Sequence, residues 1–188
     1  MSEKEYLDLI KKCLEGERVS QKKLYNALAS KLMTVCLRYT KSRPDAEDSL
    51  QDSFIKIFNN LSSFKNDGHF EAWARRITVN CLITRFQKAQ KQGIRMDLNE
   101  IEEIVEVDFN IENRLTELEL MRILTYLPEG YKMIFNMHAI EGYSHKEISE
   151  IMNINESTSR SNLARAKAIL KDVHHKINLI SNEGKATN

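Results

Sequence analysis

Thr158, Arg160, Ser161 and Arg165 crowd the start of one helical pattern. Short hydroxyls and long cations at a helix N-terminus suit contact with base edges and phosphates when that helix lies in a major groove. Arg160 can pair with guanine or phosphate, while Lys167 and Lys171 are better placed for backbone charge. Leu163, Ala166 and Leu170 line the opposite side, with Ser159 at its start. Just upstream, Ser144 and Glu147 have the spacing of a capping box. Ile148, Ile151 and Met152 then form an apolar face. Asn153 tolerates the left-handed backbone of a tight turn, Ile154 can fill the angle between two helices, and Asn155 can cap the second. Residues 144–171 therefore read as a helix-turn-helix.

Two further constellations lie in the first half. Residues 44–61 open with Asp45, Glu47 and Asp48, which suit the positive end of a helix dipole. Leu50, Phe54, Ile57 and Phe58 make that segment's buried stripe and leave Asp48, Gln51, Asp52 and Lys56 outside. Residues 69–90 put Phe70, Trp73, Ile77 and Cys81 inward and Arg75, Arg76, Asn80, Arg85 and Lys88 outward. A basic helix beside an aromatic and a polar, glycine-bearing loop suits single-stranded nucleic acid, whose backbone cations hold and whose bases need pockets. Trp73 reads better as core.

These sites need helices to position them, and helical spacing runs at roughly 3–15, 20–40, 44–59, 69–90, 113–126, 128–141, 144–152 and 156–178. There is no alternating strand pattern, and two prolines and six glycines leave few breakers. Pro44 and Pro128 fit first-turn positions and Gly142 a helix end. The fold class is all-α: two small helical domains, 1–91 and 113–188, joined by a flexible acidic linker at 92–112. The net charge of +1 conceals an asymmetry. Residues 70–95 carry six bases against Glu71, whereas residues 97–119 carry nine acids against Arg114.

Cys13, Cys36 and Cys81 are scattered within apolar helical patterns and read as reduced, buried thiols. His174 and His175 are adjacent, so they face different directions and make a poor metal pair. No metal or other cofactor is expected. No apolar run nears the ~18 residues a membrane span needs, and residues 1–15 carry charges throughout. The expected place is the cytoplasm, without membrane insertion.

The order of these features resembles the RNA polymerase sigma factors of the extracytoplasmic-function type, group 4 of the sigma-70 family. The resemblance is carried by DAEDSLQDSFIKIFNNL at 45–61, FEAWARRITVN at 70–80, LPEGYKMIFNMHAIEGYSHKEISEIM at 127–152 and STSRSNLARAK at 157–167. With flanking helices it covers about residues 5–175. It implies a factor that binds core polymerase and directs it to promoters. Asp45, Glu47, Asp48, Gln51 and Asp52 would dock on the β′ clamp helices. The 62–69 loop with Asn66, and the 70–88 helix with Arg75, Arg76, Asn80, Arg85 and Lys88, would read and melt the −10 element. Thr158, Arg160, Ser161, Asn162, Arg165 and Lys167 would read the −35 element, in a domain that also meets the β flap. The acidic linker would run through the polymerase, its charge occupying a basic channel. An anti-sigma factor is a further partner the resemblance brings in. Thr84, Asn153, Ser159 and Asn162 stand where the family often has Asp, Gly, Val and Arg.

Two other function classes compete. A DNA-binding regulator, such as a response-regulator output domain, would share only the helix-turn-helix; the N-terminal half, however, lacks receiver-like βα alternation. An enzyme is disfavoured because no nucleophile, metal-ligand set or phosphate loop is visible.

Overall fold

The structure is a computed structural model that describes residues 1–91 and 116–183. The expected acidic linker at 92–112 and the start of the 113–126 helix lie outside the described residues. The chain divides into two compact units, Met1–Ala89 and Gln90–Asn188. Among the described residues the regular elements are all helical.

The N-terminal unit holds α1 (Glu3–Leu14), α2 (Arg18–Tyr39), α3 (Arg43–Asn59), a 3-10 turn at Leu61–Ser63 and α4 (Phe70–Lys91). Ser2 and Glu5 close a capping box on α1, and Gly16 leaves the helix at φ +86°. Tyr6, Leu9, Ile10 and Cys13 then form a buried stripe at i, i+3, i+4 and i+7. Ser42 caps α3, with Pro44 in its first turn, where a missing N–H costs nothing. In α3, Ser49 and Ser53 are buried and donate to the carbonyls of Asp45 and Ser49. Their hydroxyls are thereby satisfied while their small size lets α3 pack on α2.

The stripe of α4 meets expectation at Phe70 and Cys81 and differs at Trp73 and Ile77. Phe70, Ala74, Thr78, Leu82 and Phe86 are buried at four-residue steps, whereas Trp73 and Ile77 are half-buried. Helix–helix contact selected the i+4 row, which simple apolarity of side chains did not reveal.

In the C-terminal unit, α5 (Glu117–Leu124), α6 (Glu129–Phe135) and α7 (His145–Met152) pack on the long α8 (Glu156–Glu183). Thr116 and Glu119 form a capping box on α5. Pro128 precedes α6 as its cap, with ψ 148°, rather than sitting in the first turn. The single helix expected over 128–141 is also corrected. α6 gives way to a π-helical turn at Asn136–Ile140, closed by the Glu141 N–H donating to the Asn136 carbonyl at 3.0 Å. Such a turn accommodates one extra residue and rotates the chain beyond it by about 100°. The core includes Ile123, Leu127, Ile134, Met137, Ile148 and Leu170.

Candidate nucleic-acid and polymerase interfaces

The turn between α7 and α8 is built from local signals. Ser144 accepts from the Glu147 N–H at 3.2 Å, and the Glu147 carboxylate accepts from the Ser144 N–H at 2.8 Å. Asn153 ends α7 at φ 53°, ψ 50°, the left-handed conformation its short amide side chain tolerates. Ile148 and Met152 of α7 are buried, as are Leu163, Ala166 and Leu170 of α8, on which α7 packs.

This arrangement leaves Arg160 exposed near the start of α8, held by Glu156 one turn back at 2.7 Å. Thr158 and Ser161 lie beside it, half-buried, with the Ser161 hydroxyl donating to the Thr158 carbonyl. Arg165 reaches the Tyr131 hydroxyl at 3.4 Å and Lys167 is half-buried. Asn162 is a correction. It is 1% exposed, and its Nδ2 finds no hydrogen-bond partner among the described residues. The residue lies on the row shared by Ser159, Leu163 and Ala166, so it faces α8's packing surface and not the outward one.

On α4, Arg76, Asn80 and Lys88 are exposed along one row at multiples of four residues, with Thr84 donating to the Asn80 carbonyl at 2.7 Å. Arg75 is half-buried. Arg85 turns toward α3, bonding the Asp45 carboxylate at 2.8 Å and the Ser49 hydroxyl at 3.3 Å. One residue expected to touch DNA is therefore paired with one expected to touch polymerase. On α3, Asp48, Gln51 and Asp52 are exposed, and Glu47 is held by Arg43 at 2.9 Å. Ile55 joins them at 59% exposed, one turn beyond Gln51; sequence reading missed this apolar member of the face.

The loop ahead of α4 carries exposed Asn66 at φ +57°. Beneath it lies an aromatic cluster in which Phe70 sits 5.3 Å from Tyr6, 5.2 Å from Phe64 and 5.4 Å from Trp73 between ring centroids. Glu3 accepts from the Phe70 N–H at 2.8 Å, capping α4 from another helix. The Tyr6 hydroxyl donates to Glu71 at 2.7 Å, and Lys31 binds the same carboxylate. The Lys31 ammonium holds the Glu71 carboxyl below its ordinary range, and burial with Glu71 nearby pushes the Tyr6 phenol up. The helix that carries Tyr6 was legible in the sequence, but the partner of its hydroxyl sixty-five residues away was not.

All three cysteines are buried, and burial raises the Cys36 thiol to about 12. Among the described residues no group of three or more His, Cys, Asp or Glu side chains gathers to hold a metal. No helix among them is long and apolar enough to cross a membrane.

Two helical modules, one with an acidic face beside a basic helix and one with a helix-turn-helix, define a protein of the sigma-70 class. Residues 24–92 match sigma-70 region 2, and residues 117–170 match sigma-70, region 4. The chain is 32% identical to the ECF RNA polymerase sigma-E factor of Haemophilus influenzae over 83% of this chain and 91% of that one. It is 30% identical to the protein of the same description in Salmonella typhimurium, over 85% and 88%. Among solved structures it is similar to the sigma factor RpoE in complex with the anti-sigma factor NepR from Bartonella quintana. That match has 19% identity and a TM-score of 0.48, covering 82% of this chain and 96% of that one.

The chain belongs to the extracytoplasmic-function family of RNA polymerase sigma factors. It is a transcription initiation factor and not a catalyst, and its partners are core RNA polymerase and promoter DNA.

Proposed function

We propose that the two units divide promoter reading. The outward row Arg76, Asn80 and Lys88 of α4, with Arg75 and Asn66 of the loop, reads and melts the −10 element. Thr158, Arg160, Ser161, Arg165 and Lys167 of α8 read the −35 element. The Asp48, Gln51 and Asp52 face of α3, with Glu47 at its edge and Ile55 added, docks on the β′ clamp helices, and the C-terminal unit meets the β flap. Arg85 and Asp45 act in the seam between docking and DNA faces. The observation carrying this reading is that Arg76, Asn80 and Lys88 on α4, Asp48, Gln51 and Asp52 on α3, and Arg160 on α8 are exposed on helices whose other rows are buried. The family also makes an anti-sigma factor a partner to seek by co-purification, and the cytoplasm, where polymerase and chromosome lie, its place of work.

A run-off assay with core polymerase tests the assignment. Asp48→Arg abolishes holoenzyme formation while leaving helix content intact. Arg160→Ala weakens binding to duplex −35 DNA by about 1–3 kcal/mol and relaxes sequence preference there. Normal holoenzyme from the first variant removes the docking face, and unchanged −35 affinity and preference in the second remove Arg160 from the reading set.

A further inference from the structure

A chain of polar contacts crosses the C-terminal unit from the π turn to the reading face. His138, within that turn, places Nδ1 2.8 Å from the Tyr143 carbonyl oxygen. A carbonyl only accepts, so that nitrogen carries the proton. The His138 ring stacks on His145, with centroids 4.2 Å apart and planes 15° from parallel. His145 opens α7, and its Nδ1 is hydrogen-bonded to the Ser159 hydroxyl at 2.9 Å. Ser159 is fully buried between Thr158 and Arg160 in sequence. The π turn carries His138, and it rotates the chain beyond, which leads to His145, by about 100° relative to an unbroken α-helix.

Flat stacking at this distance suits neutral rings and opposes two imidazolium ions. The charged groups facing His145 are His138 from the π turn and Arg160, Glu156 and Lys167 from α8. Glu156, the one carboxylate among them, is already bound by Arg160 at 2.7 Å. Burial, then His138 and Arg160, hold His145 below its ordinary value of 6.5. The fold therefore favours the neutral ring. That contribution is complete above about 6.5 and is lost as the pH falls below it.

We propose that His145 is a positioning residue for −35 reading: it holds the recognition helix through Ser159, and its stack on His138 releases that hold when both rings are protonated. This rests on the reading of α8 as the −35 reader. The effect runs against the usual one, since a new cation near DNA normally tightens binding to phosphate.

The test uses holoenzyme reconstituted from the full chain and core polymerase, on a promoter fragment mapped from its own transcripts. The readout is the ratio of affinities for the intact fragment and one with a scrambled −35 element, from about pH 8 to about pH 5.5, across the imidazole range. The wild-type ratio falls about three- to tenfold on acidification, the worth of one hydrogen bond. Ser159→Ala lowers it by a similar factor already at the upper pH. His145→Gln, which keeps an uncharged hydrogen-bonding group, and His138→Gln, which removes the stacked partner, retain the ratio and flatten its pH profile. Circular dichroism monitors helix content in every case. A ratio that is constant or rises on acidification in the wild type overturns the proposal, as does a wild-type profile in both glutamine variants. A ratio near one at every pH, in wild type and variants alike, overturns the −35 assignment of α8 along with it.

Discussion

The helix-turn-helix is capped and turned by contacts within a few residues, whereas the N-terminal unit also ties its helices together across most of its length. In the C-terminal unit, Ser144 and Glu147 are three residues apart, Glu156 and Arg160 four, and Asn153 sets the turn through its own backbone angles. In the N-terminal unit, Glu3 bonds Phe70 across sixty-seven residues, Tyr6 bonds Glu71 across sixty-five, and Asp45 bonds Arg85 across forty. A site assembled locally is preformed whenever its helices form. A site assembled at long range exists only when the whole unit is folded, so its stability and its function are damaged together.

The largest expected effect probes the long-range side. Phe70→Ala empties the centre of the aromatic cluster and costs the N-terminal unit about 3–5 kcal/mol. Chemical denaturation followed by Trp73 fluorescence measures it, and a loss below about 1 kcal/mol would mean that the cluster packs loosely. The local side is probed by Ser144→Ala, which deletes one capping hydroxyl and costs about 1 kcal/mol. Its effect stays within the C-terminal unit, as amide hydrogen exchange along the chain will record; loss of protection in α1 to α4 would break the contrast. Smaller still is the Asp45–Arg85 pair. Both side chains are nearly half exposed, so a double-mutant cycle gives about 0.2–1 kcal/mol of coupling, weakening with salt. Coupling that changes when core polymerase is bound would locate the pair at the seam between the two functions. The last is Asn162→Leu. It replaces a buried amide lacking a partner for its nitrogen, so the unit's thermal midpoint holds or rises and −35 sequence preference is unchanged. A lost preference would return Asn162 to the reading face.

Legibility in the sequence followed the same division. The cap at Ser144, the left-handed turn at Asn153 and the buried Ile148, Met152, Leu163, Ala166 and Leu170 could be read directly, because each signal is complete within one helical turn or one apolar repeat. The fold class and the helix order were equally plain, as was the family. Missed were the π turn at Asn136–Ile140, which packs against α7, and the i+4 burial row of α4. Asn162 was misplaced for a related reason: its polarity pointed outward, while its position on the row of Leu163 and Ala166 pointed inward.

By itself, then, the sequence determined that this chain makes two helical modules with acidic, basic and DNA-facing surfaces, since helical periodicity, capping and charge placement are local properties. Only tertiary structure decided which members of those surfaces are available. It committed Arg85 to Asp45, buried Asn162, and stacked His138 on His145, because each depends on a second element arriving within a few ångströms.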